Sequence, residues 1–242
     1  MIRVLILLSS LSAIEPYLWT RNESILEITN APVWNRGLGT YLNTNTAFYG
    51  GQFGLSAFFP KTNASVGDLV YYTNWPMPTN GCIEFWFKPD VWTITNTTVS
   101  DGGVHFLCSR NSLAGGSPYV QMEIENGNGF RCSVYDGATE MLVDVTTLYI
   151  TNRFYHIAMS WMQTNTVGGT AWIFLDGALV ASVTNAALQI TNGMVFPLAY
   201  GGVQNSANFG ARGYIDNLKT FAYFKTDFSD RFNERGGLND LP

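Results

Sequence analysis

Charge is scarce in this sequence. Lys, Arg, Asp and Glu make up 13% of its 242 residues, about half the share of an ordinary globular protein. That argues against long solvated helices and against extended disorder, both of which are built from charge. The thirteen basic residues form no cluster, and eighteen acidic ones leave a formal charge of −5. Binding to nucleic acid, or to an anionic membrane surface, needs a basic footprint, so neither partner is expected. Cysteine is rare as well: Cys82, Cys108 and Cys132, with only His105 and His156 to add nitrogen ligands. Without a Cys-x-x-Cys pair a zinc site is disfavoured. Three buried free thiols are expected, with one disulfide and a spare thiol as the alternative. No apolar run reaches the roughly 20 residues of a transmembrane helix, and no helical periodicity extends beyond ten residues.

What is abundant is Asn, Thr, Ser, Gly and aromatic side chains, the mix of short strands joined by many turns. The clearest element is Thr170 to Ser182, where Ala171–Leu175 runs into Asp176-Gly177 and a second apolar run leads away. A two-residue type I′ hairpin turn needs positive φ at both positions, which Gly takes freely and Asp tolerates. Gly81 to Asp90 alternates, with Ile83, Phe85 and Phe87 on one face and Glu84, Trp86 and Lys88 on the other. Further strands are expected at Val104–Arg110, Tyr119–Glu125, Phe130–Tyr135, Met141–Thr146, Tyr155–Met162, Met194–Tyr200 and from Tyr214 onward, with shorter ones at Leu55–Pro60 and Asp68–Thr73. Residues 30–54 read as turn-rich, Trp75-Pro76-Met77-Pro78 as a rigid connector, and Asp227–Phe232 as one helical turn. Residues 1–20 form an apolar arm or a short signal-like segment, with Met1–Ile14 its apolar part. A retained arm would be buried by its own domain or by a neighbouring subunit. Residues 21–242 read as one domain of roughly eleven strands, with little helix.

The order of these strands resembles a known family. Ile83-Glu84-Phe85-Trp86-Phe87-Lys88-Pro89, then Phe154–Ser160, Trp172-Ile-Phe-Leu-Asp-Gly177 and Tyr214-Ile-Asp-Asn-Leu-Lys219 resemble the successive strands of laminin-G-like domains. The resemblance covers about residues 80–232. It implies an all-β, concanavalin A-like jelly-roll sandwich of two curved antiparallel sheets. That superfamily holds lectins, adhesion modules, virion and cell-surface proteins and glucan hydrolases, so the fold alone does not choose a function.

Candidate chemistry is thin. Gln121, Glu123 and Glu125 project from one strand face. The superfamily's laminarinases and lichenases carry Glu, Asp and Glu at such alternating positions. Retaining glycosidases need two carboxyls about 5 Å apart, and an amide at position 121 cannot serve as the nucleophile. Asp101, Asp136, Asp144 and Asp216 are available for the structural calcium common in such domains, but no alternating acidic loop is present. Asp216 reads rather as a loop brace and Asp176 as a turn former. Sugar recognition favours exposed rings that stack on a pyranose face. Trp75, Trp92 and Tyr119 are the candidate platforms, while Trp86, Trp161 and Trp172 read as core. His105 and His156 read as hydrogen-bonded structural histidines. Asn22, Asn63 and Asn96 head glycosylation sequons.

The expectation is a non-catalytic binding or assembly module on an extracellular, cell or virion surface, such as a phage capsid or tail decoration or an adhesin. Its expected partners are protein neighbours, a second copy of the chain among them, and a glycan ligand. It has no catalytic residues and no cofactor beyond structural calcium. The alternative is a glucan hydrolase using Glu123 and Glu125.

Overall fold

In the computed structural model, the described residues are 24–28, 32–34, 41–43, 47–50, 52, 55–60, 70–76, 78–89, 104–110, 118–125, 129–145, 153–164, 168–190, 195–200 and 212–232. They contain sixteen strands: β1 (Ser24–Ile28), β2 (Pro32–Trp34), β3 (Tyr41–Asn43), β4 (Ala47–Gly50), β5 (Leu55–Pro60), β6 (Val70–Pro76), β7 (Asn80–Pro89), β8 (Val104–Arg110), β9 (Tyr119–Glu125), β10 (Gly129–Tyr135), β11 (Glu140–Val145), β12 (Tyr155–Gln163), β13 (Gly169–Leu175), β14 (Ala178–Asn185), β15 (Val195–Tyr200) and β16 (Arg212–Phe221). One 3₁₀ turn follows at Ser229–Phe232. The apolar arm of residues 1–20, Trp92, Asp101 and the three sequon asparagines lie outside the described residues.

The strands form two antiparallel sheets. One has nine strands, running β14-β13-β12-β7-β16-β1-β2, with β5 joined to β16 and β4 to β5; the other has seven, in the order β11-β10-β9-β8-β15-β6-β3. Strand alternation builds the core between them. Ile83, Phe85 and Phe87 of β7 meet Val120, Met122 and Ile124 of β9 and Cys132 and Val134 of β10, all buried. Each such side chain contributes about 1.5–3 kcal/mol on burial.

The Asp176-Gly177 hairpin is as expected: φ is 52° at Asp176 and 85° at Gly177. The Asp176 carboxylate accepts the His156 backbone N–H at 3.0 Å and pairs with Arg153, so it braces the turn it helps to form. Two expectations need correction. Trp75 and Pro76 are the end of strand β6, opposite Phe196 and Val195, and not a connector; proline is tolerated at a strand end, where a donor is dispensable. Residues 30–54 hold β2, β3 and β4, three or four residues each, too short for alternation to show.

On the outer face of the nine-stranded sheet, strands β7, β12, β13 and β16 are covered by the chain itself. After β16, residues 222–232 cross them as a strap. Phe228 joins Cys82, Ala158, Phe174 and Phe221 in a second buried cluster, with Trp172 partly buried against it. This explains why β7 is buried on both faces. Trp161 lies in the main core as expected, whereas Trp86 is buried beneath the strap and donates its indole N–H to the Arg231 carbonyl at 3.2 Å.

Candidate functional site

The strap covers a charged centre. Glu84 receives the Lys219 ammonium at 3.1 Å and that of Lys225 at 3.0 Å, and Lys225 also reaches Asp230 at 2.8 Å. A β-bulge makes this possible. Between Asp216 and Lys219, β16 carries one residue more than β7, and Asn217 takes a φ of 51°. Without the extra residue Lys219 would face the core; with it, Lys219 stands directly opposite Glu84. Burial works against the Lys225 ammonium, but Glu84 and Asp230 outweigh it and raise its pKa.

His156 lies beside this centre, between the rings of Trp86 at 5.3 Å and Phe228 at 5.4 Å. It was expected to be hydrogen-bonded. Instead neither ring nitrogen has a hydrogen-bond partner among the described residues. Burial and the cations of Lys219, Lys225 and Arg231 lower its pKa to about 3, so it is neutral. Burial, then Glu84, push the Cys82 thiol far up, which makes it unreactive. Cys82 and Cys132 are free and buried; the Cys108 side chain lies outside the described residues. Its ion pairs join the strap to β7 and β16, so this centre is structural.

The outer face of β9, β10 and β11 differs. Register places three rows across it: Glu123, Arg131 and Asp144; Gln121, Ser133 and Leu142; Tyr119, Tyr135 and Glu140. Arg131 Nε donates to Asp144 Oδ1 at 2.7 Å, and its Nη1 stands 3.6 Å from Glu123 Oε1. Gln121 Nε2 donates to Glu123 Oε2 at 2.8 Å. Tyr119 and Tyr135 pack at 5.0 Å, and the Tyr119 hydroxyl donates to Glu140 at 2.9 Å. In the middle, the Ser133 hydroxyl is buried with no hydrogen-bond partner among the described residues, which costs about 1–3 kcal/mol. The face opens toward β11, where Leu142 is 38% exposed.

The residues expected from sequence fall in different places. Glu123 is buried, with Gln121 and Arg131 on its carboxylate, and the side chain of Glu125 is outside the described residues. Tyr119 belongs to the same face, but it is 9% exposed and its ring packs on Tyr135, leaving little surface for stacking. The side chain of Trp75 is outside the described residues. Asp136 accepts the backbone N–H groups of Ala138, Thr139 and Gln189 and ties two loops together. Asp216 is buried on β16. Among the described residues no group of three His, Cys, Asp or Glu side chains is placed to hold a metal, and no helix is long and apolar enough to cross a membrane. Sequence reasoning missed Arg131, Ser133 and Leu142. Each is unremarkable alone, and the cross-strand register that joins them to Glu123 spans two hairpins.

Comparisons with known proteins agree with this architecture. A family model described as the concanavalin A-like lectin/glucanases superfamily matches residues 63–227. Among solved structures, the receptor-binding domain of botulinum neurotoxin type G aligns with a TM-score of 0.61 and 14% identity, over 86% of this chain and 50% of that one. The binding domain of paraclostridial mosquitocidal protein 1 gives 0.61 and 12%, over 84% and 49%. Domain 4 of a GH43 extracellular arabinanase from Geobacillus stearothermophilus, in complex with arabinotriose, gives 0.50 and 14%, over 82% and 81%. The chain thus spans about half the length of the two toxin-domain structures. At these identities the likeness is one of fold. Comparison with curated proteins returns no match.

Proposed function

The chain belongs to the concanavalin A-like lectin/glucanases superfamily, and from that membership we propose that it is a non-catalytic module that binds glycans on an extracellular or virion surface. The observation that carries the reading is the contrast between the two outer faces. That of the nine-stranded sheet is covered over β7, β12, β13 and β16 by residues 222–232. That of β9–β11 presents a row of hydrogen-bonding groups that opens at Leu142. The non-catalytic part of the reading is supported by position 121. Its amide donates into Glu123, where a retaining hydrolase would need a second carboxyl. The glycan part is supported by the fold shared with a domain seen with arabinotriose, and the binding role by the fold shared with two toxin binding domains. The extracellular setting is supported by the fold shared with a domain of an extracellular arabinanase. The test is a broad glycan array followed by titration calorimetry. Saturable binding without release of reducing ends is the expected result. Reducing ends released from a β-glucan, and abolished by Glu123→Gln, would instead establish the hydrolase.

A second reading, assembly with further copies of the chain, is favoured by the edge strand β14. Its eight residues carry no charge and no proline, and Leu179 and Val180 are 49% and 41% exposed. Natural sheets usually blunt such edges with charge. Sedimentation of the wild type against Val180→Lys tests it: a dimer lost in the variant supports assembly, and a monomer in both excludes this edge.

A further inference from the structure

We infer that the outer face of β9–β11 takes a neutral, hydroxyl-rich ligand, an uncharged saccharide, with Ser133 at its floor. This rests on the binding reading above and deepens it by naming the site and the ligand class.

Three observations converge. First, Ser133 is 1% exposed and its Oγ has no hydrogen-bond partner among the described residues. It faces outward from β10, between Gln121 on β9 and Leu142 on β11. Alanine would fill that place without leaving a polar atom unpaired. A hydroxyl kept there has its partner elsewhere, and the outer face is the side from which that partner can come. Second, the described side chains of the face include three carboxylates, Glu123, Glu140 and Asp144, against one guanidinium, Arg131. That guanidinium already serves Asp144 at 2.7 Å and Glu123 at 3.6 Å. An acidic sugar would meet like charge and find the cation engaged. A neutral hydroxyl donates and accepts at once. It can therefore insert between the carboxylate acceptors of Glu123 and Asp144 and the donors of Gln121 and Arg131 without any change of ionisation. Third, Leu142, 38% exposed beside Ser133, supplies an apolar contact next to the polar row. A pyranose offers the same pairing, with C–H groups on one face and hydroxyls at the rim.

Gln121 and Arg131 are the long side chains that flank Ser133, and both are only partly buried. To reach the buried hydroxyl, a ligand would displace them from Glu123 and Asp144.

The full chain is tested on an array of neutral, sialylated, sulfated and amine-bearing oligosaccharides, with Kd by calorimetry and stability by urea unfolding. The expected result is binding confined to neutral glycans. Ser133→Ala weakens it about tenfold while the urea midpoint stays level or rises, because an unpaired hydroxyl has been removed. Leu142→Glu abolishes binding with the fold intact. A merely structural Ser133 would give a lower midpoint and an unchanged Kd. If neutral glycans bind but neither variant alters Kd, the site is wrong while the glycan-binding reading stands. Binding confined to sialylated, sulfated or amine-bearing glycans overturns the ligand class. No binding of any class overturns this inference and the proposed function together.

Discussion

Lys225 places its ammonium 3.0 Å from the Glu84 carboxylate, a partner 141 residues earlier in the chain. The contact fastens the strap to the middle of the nine-stranded sheet, and its two ends are not equivalent. Glu84 answers two lysines, whereas Lys225 leans on both Glu84 and Asp230. Glu84→Gln removes a carboxylate shared by two buried lysines and is expected to cost about 3–5 kcal/mol. Lys225→Met leaves Glu84 paired with Lys219, and its stem still packs between Phe221 and Phe228, so about 1–2 kcal/mol is expected. Urea midpoints of the two variants measure the difference. Equal losses would show that the charges are not what holds the strap.

His156 makes stability depend on pH in one direction. Its pKa is about 3 when folded, against 6.5 in the reference state, because burial and then Lys219, Lys225 and Arg231 oppose the charge; Asp230 acts the other way, and Glu84 is 4.0 Å distant. As pH falls through 6.5 the unfolded chain takes up a proton that the folded chain refuses until near pH 3. Stability is therefore complete above 6.5 and declines toward 3, by up to about 1.4 kcal/mol per pH unit. Lys225, with its folded pKa raised, acts oppositely: its contribution is full below 10.5 and is lost as pH rises through the folded value. His156→Phe keeps a ring between Trp86 and Phe228 and removes the titration. Its urea midpoints from pH 7 to 4.5 should fall less steeply than those of the wild type.

The sandwich was legible because its signals are local. Ile83, Phe85 and Phe87 alternate within five residues, and Asp176-Gly177 names its own turn. The strap was not legible. Asp227–Phe232 reads as a helical turn, and a 3₁₀ turn is there, but its role depends on Glu84, Lys219 and Lys225 meeting across the fold. A buried lysine looks like a solvated one in sequence, and burial is what turns these charges into a lock. His156 was misread for the same reason. A histidine on a strand is ordinarily hydrogen-bonded, and only the tertiary arrangement of cations shows why this one is not. The outer face of β9–β11 was half legible: alternation put Gln121 and Glu123 on one side, whereas Arg131 and Ser133 joined them through register.

Phe228 fills the second cluster at 2% exposure, 4.6 Å from Phe174. Phe228→Ala is expected to cost about 3–5 kcal/mol, because it opens a cavity where the strap cannot easily collapse onto the sheet. Trp86 lies beneath the same strap, so its fluorescence should shift red before global unfolding. Hydrogen exchange separates the layers: β7 amides, which bond to β12 and β16 within the sheet, should stay protected while those of residues 222–232 exchange. Uniform loss of protection would mean that strap and sheet unfold as one unit.

The Asp176-Gly177 turn sets two contributions of one carboxylate against each other. Asp176 accepts the backbone N–H of His156 and also pairs with Arg153, whose side chain is 52% exposed. An exposed ion pair contributes about 0–1 kcal/mol. An acceptor for a buried strand's N–H is harder to replace, since that donor is otherwise left unpaired at a cost of about 1–3 kcal/mol. Asp176→Asn keeps an oxygen acceptor and tolerates positive φ, so it should lose under about 1 kcal/mol. Asp176→Ala loses the acceptor and strains the backbone at φ 52°, and about 2–4 kcal/mol is expected. Gly177→Ala, at φ 85°, should fall between them at about 1–2 kcal/mol, with a new Cβ 3.0 Å from the Arg231 guanidinium. Urea unfolding of the three variants gives the order directly. If Asn proves as damaging as Ala, the Arg153 pair holds the hairpin and the hydrogen bond to His156 does not.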